Sequence, residues 1–265
     1  MKAYEILDDE NKISLGALLY YEKEKSFVIE LQENLDEWTA PLLLASYVKR
    51  KVFTIPKDVS LMWVRERVIP SGRQNISDIL VRHKLKAYDE MTFLELSEGR
   101  CSHDSIYIKR MEKLSKFVLE RMSVNITQCV MTGEGRVLCF FADEVVKLID
   151  LNELKHIDGV DKILNNKSLY VSGKVATGGY AVTFNDSIEI PAKVLYESGE
   201  YIPLKLQDFV AFVKNNVLDT SDACNVLGCS RQNISYMVKQ KQLTPICEDV
   251  KGNLYLKGDI LSNKW

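Results

Sequence analysis

The sequence predicts an α+β protein of several domains, and three observations support this prediction. Short runs of β-forming residues alternate with amphipathic helical patterns along most of the chain. Glycine breaks are frequent in the middle, where the runs are shortest. The last part has the pattern of two short helices joined by a tight turn. We therefore predict a mixed α/β region over residues 1–122, a small β-rich domain over 123–202 and a helical module over 203–265.

The composition is that of an ordinary folded protein. The chain has 265 residues, and 35 Lys and Arg against 37 Asp and Glu give a formal charge of −2. This balance argues against a surface that is basic all over but permits one local basic surface. No apolar run approaches the ~20 residues of a membrane span, and the acidic Met1–Asn11 lacks the layout of a secretory signal.

The cysteines predict reduced thiols in a cytoplasmic protein, because none of them has the C-x-x-C spacing and a chain of this length can build its own core. The six are Cys101, Cys129, Cys139, Cys224, Cys229 and Cys247. No metal site and no cofactor are predicted.

The amino-terminal region begins with a predicted hairpin, since β-formers on both sides of a polar link fill Gly16–Glu33. Ala40–Ala45 suits a helix with proline in its first turn. Val52–Ile55 is predicted to be a strand, whereas Ser60–Ile69 fits either a helix or a strand.

Two further helices are predicted before the middle domain. One begins at Ser71 or Gly72 and has Ile76, Ile79 and Leu80 on one side. The other is Tyr107–Met122, which has an apolar stripe. Its opposite face would be basic, either as a solvated face or, less favoured, as a nucleic-acid contact: Lys109, Arg110, Lys113, Lys116 and Arg121.

The middle of the chain predicts a compact α+β unit, followed by a helix that contains Val210 and Val213. The predicted strands of the unit are Asn125–Met131, Val137–Phe141, Leu169–Val171 and Tyr180–Phe184. Its predicted helices are Asp143–Leu151 and Gly159–Leu164.

The two-helix pattern occupies Thr220–Lys239. Small side chains at Ala223 and Cys224 let a second helix approach closely, and Gly228 stands at the turn, where positive φ is often needed. Ser230 can cap the second helix by accepting a backbone N–H. Three apolar side chains of that helix face the first: Ile234, Met237 and Val238.

The outward side chains of the second helix suit nucleic acid, and none is acidic. Arg231 can fork onto guanine, Gln232 can pair with adenine, and Ser, Tyr and Lys side chains can reach phosphates. Such a helix fits the major groove, although a helical hairpin that only packs is the alternative. The predicted DNA-binding residues are Ser230, Arg231, Gln232, Asn233, Ser235, Tyr236, Lys239 and Lys241.

Three runs at this end, Asp222–Ser235, Gln242–Pro245 and Asn253–Ile260, together resemble the helix-turn-helix of the excisionase and mercury-resistance-regulator (MerR-like) type. The resemblance implies a Gly-Leu turn after the recognition helix, a short β-wing and a closing helix capped by Asp. The matching positions are Gln242 (where the family has Gly), Leu243, the wing turn Lys251–Asn253, the strand Leu254–Leu256 and Asp259.

The middle domain has a resemblance of its own. Tyr180–Tyr196 is similar to the ending of a small bacterial domain family of unknown function, with two strands and a Leu-Tyr pair on a short helix. That family occurs beside helix-turn-helix modules in mobile-element and toxin–antitoxin settings. A fainter likeness connects Tyr20–Leu85 with the amino-terminal part of the HipA-type toxin kinases.

A five-residue sequence occurs twice in the chain, at Arg73–Ser77 and at Arg231–Ser235. The favoured interpretation is a chance match within an ordinary amphipathic helix. The alternative is a second DNA-reading helix, capped by Ser71.

Enzyme signatures are weak. Ser172–Lys174 and Thr132–Arg136 lack the residues of phosphate-binding loops and predict turns. Cys101 and His103 could form a nucleophile and a base on one strand face, and with Asp104 they are the only metal-like cluster; a structural turn is the favoured interpretation. We therefore predict no catalytic residue.

The sequence thus predicts a cytoplasmic protein that binds double-stranded DNA in a sequence-specific way, typical of a transcriptional regulator of a bacterium or mobile element. One helix covers too little of a DNA turn for useful affinity, so a homodimer on two half-sites or several copies along the DNA are expected. The alternative is an antitoxin-like or phage-encoded protein whose amino-terminal half binds a protein or small-molecule partner. A cryptic enzymatic activity in that half is a further alternative.

Overall fold

The computed structural model describes residues 1–201, 206–248 and 252–264. Helices and antiparallel sheets are both abundant in these ranges, which confirms the α+β class. The chain packs as two compact units, Met1–Val118 and Leu119–Trp265. The borders at 122/123 and 202/203 stay predictions, and the second falls beside residues outside the described ranges. Among the described residues, no helix has the length and apolar character needed to cross a membrane.

The first unit contains one antiparallel sheet and a set of short helices. Its strands are β1 (Lys2–Asp8), β2 (Ile13–Tyr21), β3 (Ser26–Leu31), β4 (Thr54–Ile55) and β5 (Ile106–Arg110). Its helices are α1 (Ala45–Lys49), α2 (Lys57–Arg65), α3 (Ile76–Arg82), α4 (Glu90–Leu96) and α5 (Lys116–Met122), and the border between the units falls within α5. The strand order is β4–β3–β2–β1–β5.

The predicted hairpin is confirmed as β2 and β3, which pair from Gly16↔Leu31 to Tyr21↔Ser26. The first strand was not predicted, because the acidic end of the chain hides the apolar alternation that buries Tyr4 and Ile6. The segment that fitted either a helix or a strand forms α2. This helix begins directly after Pro56 and buries an aromatic and a β-branched side chain against the sheet.

The predicted helix Tyr107–Met122 is wrong, because its first part is strand β5 and only its last part is helix α5. Ile108 pairs with Ile6 in β1, and the amide of Met111 donates to Ala3 O across 2.9 Å. Pairing with β1 gives these residues a two-residue alternation, which overrides their helical spacing. The predicted basic face is therefore not a face of one helix.

The repeated five-residue sequence has different structures at its two occurrences. Arg73 lies in a turn before α3, whose N-cap is Asn75 without a side-chain cap bond, so Ser71 does not cap a helix there. The predicted helix start at Ser71 or Gly72 and the cap at Ser71 are thus wrong, whereas DNA reading by this helix stays an untested alternative. The favoured amphipathic helix is confirmed in α3, whose inner side chains pack against the core of the unit: Ile76, Ile79 and Leu80.

The second unit contains the remaining elements. Its strands are β6 (Ile126–Gly133), β7 (Arg136–Phe141), β8 (Val146–Asp150), β9 (Lys174–Val175), β10 (Ala181–Phe184), β11 (Ile188–Pro191), β12 (Glu200–Tyr201), β13 (Val217–Leu218) and β14 (Tyr255–Leu256). Its helices are α6 (Val160–Asn165), α7 (Lys167–Val171), α8 (Ala192–Ser198), α9 (Leu206–Asn216), α10 (Thr220–Leu227), α11 (Arg231–Lys239) and α12 (Lys257–Ser262).

The centre of this unit is a four-stranded sheet with the order β12–β8–β7–β6, beside smaller sheets β11–β10–β9 and β13–β14. Alternation along β7 divides the apolar side chains between two faces. Cys139 and Phe141 join the core that includes α6, α7 and α8, whereas Leu138 and Phe140 join a second cluster. The sheet is therefore buried on both faces.

Two predictions in the middle domain are wrong, although its other predicted strands and its second helix are confirmed. Asp143–Leu151 was predicted to be helical, but β8 pairs with β7 there, and Leu148 lies opposite Leu138. Leu169–Val171 was predicted to be a strand, but it belongs to α7. The side chain of Asn166 starts this helix by accepting a hydrogen bond from Leu169 N across 3.1 Å.

The carboxy-terminal elements pack against the second face of the central sheet. The ring of Phe212 in α9 lies 4.6 Å from that of Phe140, and α9 is the helix predicted around Val210 and Val213. In α12, a Cβ at Gly258 would lie 2.7 Å from Thr127 O in β6, a separation that real Cβ atoms essentially never show. Only glycine lets α12 approach β6 this closely, so this packing holds the module to the sheet.

Candidate nucleic-acid interface

Helix α10 has a defined beginning and end. The carboxylate of Asp219 caps its start by accepting from Asp222 N across 2.8 Å. Gly228 ends it in the left-handed conformation, with φ 63° and ψ 37°. The amide of Cys229 then donates to Cys224 O across 3.1 Å, which reverses the chain. The predicted turn at the glycine is confirmed.

Helix α11 begins as the sequence predicted. Ser230 has extended φ and ψ, and its hydroxyl accepts from Asn233 N across 3.3 Å. This cap satisfies one of the amide groups that a helix start leaves without an intrahelical partner. Arg231 is consequently the first residue of the helix and Gln232 the second.

One face of α11 is buried in a small core of its own. Ile234 and Met237 are buried and pack in one cluster with Ala223 of α10 and Leu243 beyond the helix. Val238 is partly buried against the same cluster. The three apolar side chains predicted to face α10 therefore lie in the same cluster as α10 residues.

The opposite face of α11 is exposed. Tyr236 is 57% exposed, and no residue from Ser230 to Lys241 is acidic. The acidic residues that precede this stretch, Asp219 and Asp222, lie at the start of α10. All eight predicted DNA-binding side chains are exposed: Ser230, Arg231, Gln232, Asn233, Ser235, Tyr236, Lys239 and Lys241.

A contact that the sequence analysis missed fixes the guanidinium of Arg231. Its Nη2 donates to the hydroxyl of Ser221, in the first turn of α10, across 2.7 Å. No sequence motif indicates this pair, because the two residues are ten apart and meet only when α10 and α11 fold back on each other.

The Cys224 thiol beside this contact is not activated as a nucleophile. Burial raises the pKa of the Cys224 thiol, and the neighbouring Cys229 raises it further, while the charge of Arg231 opposes the shift. Cys224 therefore stays protonated near neutral pH and contributes to packing.

The end of α11 differs from the family pattern. Lys241 adopts the left-handed conformation, with φ 57°. Its amide donates to Val238 O across 3.0 Å, and the amide of Gln242 donates to Met237 O across 2.9 Å. This pair of bonds is the Schellman ending, which usually has glycine at the left-handed position. The turn that the resemblance placed at Gln242 thus has its left-handed residue one position earlier.

The predicted strand Leu254–Leu256 is present in part, as β14. Cys247 bridges Leu254, and β14 pairs with β13 through Val217↔Leu256 and Leu218↔Tyr255. The predicted wing turn includes Lys251, which lies outside the described residues. The predicted cap at Asp259 is wrong, because α12 begins two residues earlier, at Lys257, and its N-cap Leu256 has no side-chain cap bond.

In the predicted cluster of Cys101, His103 and Asp104, the aspartate forms a structural ion pair with Arg67. The buried guanidinium of Arg67 donates to both carboxylate oxygens of Asp104 and to Gly99 O, and it stacks on the ring of Trp63 at 4.1 Å. Arg67 Nη1 also lies 3.5 Å from Cys101 Sγ. Within the described ranges, no group of three or more His, Cys, Asp or Glu side chains could hold a metal ion.

The chain matches no protein-family model, no curated protein and no solved structure.

Proposed function

We propose that this protein binds duplex DNA in a sequence-specific way through α11, with α10 and α11 as a helix-turn-helix of the excisionase and MerR-like type. One observation carries the proposal: α11 buries an apolar stripe and, together with the flanking Ser230 and Lys241, exposes eight polar or basic side chains with no acid among them. A helix that enters the major groove needs this division, since one face must hold the helix and the other must meet bases and phosphates.

The position of each side chain suggests its role. Arg231 and Gln232, in the first turn, would meet base edges, because the amino-terminal residues of a recognition helix reach deepest into the groove. Ser235 and Tyr236 would contact bases or phosphates in the next turn. Ser230 and Asn233 flank the first turn, and Lys239 and Lys241 would neutralise phosphates.

The proposed role is transcriptional regulation in a bacterium or a mobile element, in a toxin–antitoxin or similar setting. A single recognition helix covers part of one DNA turn, so we expect a homodimer on a site with two half-sites. Such a protein acts in the cytoplasm, in agreement with six cysteines that are all free thiols.

Selection of bound duplexes from a random pool tests this proposal without knowledge of the operator. The intact chain should enrich a common motif of two half-sites about one helical turn apart. The matched control carries Arg231→Ala and Gln232→Ala, two exposed changes that leave the buried face of α11 intact. If the wild type enriches no motif, or both proteins enrich the same one, α11 does not read DNA.

A second candidate function is protein binding by the first unit, in the manner of an antitoxin. The observation that favours it is the exposure of two large apolar side chains, Trp38 at 87% and Leu42 at 95%. The carboxylate of Asp36 holds the loop that presents Trp38 by accepting from Trp38 N and Thr39 N. A partner that stays bound at high salt and is lost in Trp38→Ala would support it, since DNA binding weakens steeply with salt.

A further inference from the structure

A short basic segment in the first unit, Arg82–Lys86, lies at the end of α3 and beyond it. Arg82, His83, Lys84 and Lys86 are all exposed, whereas Leu85 is half-buried and packs against the core of the unit. The amide of Leu85 also donates to Leu80 O across 2.8 Å. The segment is therefore held in place by its apolar residue while its charged side chains point into solvent.

The charged side chains of the basic segment have no partners. Within the described ranges, the side chains of Arg82, Lys84 and Lys86 make no hydrogen bond, ion pair or cation–π contact. Several other cations of the first unit are paired with carboxylates, for example Lys12–Asp9, Lys25–Asp89, Lys49–Glu37, Arg65–Glu90 and Arg67–Asp104. Asp89 and Glu90, the acids that follow the segment in sequence, are thus already paired.

The helix dipole explains only part of this arrangement. A cation in the last turn of a helix interacts favourably with the unpaired carbonyl groups there, which accounts for Arg82 and, just beyond the helix, Lys84. The effect falls off within one turn, and Lys86 lies four residues past the last helical residue. A row of unpaired cations that extends past the helix points to an external anion.

We propose that the basic segment binds the phosphate backbone of duplex nucleic acid. Three permanent positive charges within five residues match the closely spaced charges of a duplex. The nearest aromatic ring, Tyr88, is stacked on Phe93 at 5.1 Å, and its hydroxyl donates to Ile69 O. Stacking on unpaired bases needs a free aromatic face, so the segment suits a duplex better than a single strand. It contacts phosphates and reads no sequence.

The basic segment is not part of α11, and its binding to phosphates does not depend on base reading by that helix. A random-sequence duplex therefore serves as the probe, and its affinity for the full chain is measured by fluorescence anisotropy over a range of salt concentrations. The test variant carries Arg82→Gln, Lys84→Gln and Lys86→Gln. The control carries Lys12→Gln, Lys25→Gln and Lys49→Gln, which removes the same charge from paired and equally exposed lysines.

We expect the test variant to lower the slope of log affinity against log salt by about 2–3, because each lost phosphate contact removes about 0.9. The control should lower it by less than one. Circular dichroism and melting temperature establish that both variants fold. Equal slopes for the two variants, or no binding of the duplex by the wild type, would overturn the inference.

Two further measurements distinguish duplex binding by the basic segment from DNA binding by α11 and from binding of other anionic partners. Arg231→Ala should change the salt slope by no more than about one. If Arg231→Ala abolishes binding while the triple Gln variant of the basic segment has no effect, DNA binding by α11 is supported and phosphate binding by the basic segment is ruled out. A greater loss of binding to a single strand or to anionic vesicles than to the duplex would contradict the assignment of a duplex partner.

Discussion

The guanidinium of Arg231 and the hydroxyl of Ser221 are joined by a hydrogen bond of 2.7 Å between the first turns of α11 and α10. The bond holds the most versatile base-reading side chain of the proposed interface in one orientation on the exposed face. Because ordering a long side chain on binding costs about 0.5–1.5 kcal/mol, this bond would lower the cost of the proposed DNA contact of Arg231.

Ser221→Ala tests this preparation. We expect its affinity for the selected duplex to fall by about 0.5–1.5 kcal/mol, since Arg231 must then be ordered on binding. Titration calorimetry should show a less favourable binding entropy. Thr220→Ala, one position away on the same turn, is the control and should bind nearly as well as the wild type. An affinity that is unchanged or higher in Ser221→Ala would mean that Ser221 does not assist Arg231.

Lys241 occupies the left-handed position that ends α11, and it is also one of the proposed phosphate contacts. Lys241→Gly should stabilise the protein by up to about 1 kcal/mol, because a non-glycine residue is strained there. It should also weaken DNA binding and lower the salt slope by about one through loss of a phosphate contact.

Lys241→Ala is the matched control, since it removes the charge and keeps the backbone strain. It should weaken DNA binding as Lys241→Gly does, without the gain in stability. A gain of equal size in both variants, measured by denaturant unfolding, would show that the charge and not the backbone conformation determines the effect.

Gly258 should be sensitive to a single methyl group. Gly258→Ala places a Cβ against Thr127 O and the Gln128 side chain, where no space is present. Overpacking of this kind costs about 1–3 kcal/mol, and we expect α12 to detach partly from β6, with faster hydrogen exchange there. Gly72→Ala, whose new methyl meets nothing within 4 Å, should be neutral. Similar unfolding curves for the two variants would contradict the packing described.

The ion pair of Arg67 and Asp104 should stabilise the first unit. The side chain of Arg67 is 4% exposed, and that of Asp104 is 32% exposed. Asp104→Asn leaves the guanidinium buried without its counter-charge, and we expect a loss of about 2–3 kcal/mol, less than for a fully buried pair. Asp9→Asn, which affects an exposed pair, should have little effect. Comparable losses in the two variants, measured by urea unfolding, would rule out a special contribution of the buried pair.

The ion pair of Arg67 and Asp104 also makes the stability of the first unit depend on pH. Desolvation tends to raise the pKa of Asp104, but hydrogen bonds from Arg67 and the Ile106 amide outweigh it and lower the pKa. A carboxyl group with a lowered folded-state pKa contributes stability that is fully present above its unfolded pKa of about 4. That contribution is lost as the pH falls through the folded value. Stability should therefore decline below about pH 4, and less steeply in Asp104→Asn; parallel declines would contradict the assignment.

Local patterns predicted the hairpin β2–β3, the turn at Gly228 and the cap at Ser230, because each depends on neighbouring residues. The errors at 107–122 and 143–151 arose where pairing with another strand decides the structure. Ile108 has helical spacing to its neighbours, yet it forms a strand because β1 is beside it. The repeated five residues show the same point: Arg231 follows a cap and begins a helix, whereas Arg73 lies in a turn before one.

The exposure of the predicted interface residues also followed from the sequence, since an apolar stripe on one side of a helix implies a polar side elsewhere. The bond from Arg231 to Ser221 could not be predicted, because it depends on how α10 and α11 cross. The unpaired state of Lys86 could not be predicted either, since it depends on which carboxylates the fold assigns to other cations.

A cycle of protein and DNA substitutions tests most directly whether Arg231 reads a base. Affinities of wild type and Arg231→Ala are measured for the selected duplex and for duplexes with each base pair changed in turn. We predict that Arg231→Ala costs about 1–3 kcal/mol on the selected duplex and removes the discrimination at one base pair only. A uniform loss at every position, or no loss at all, would contradict base reading by Arg231.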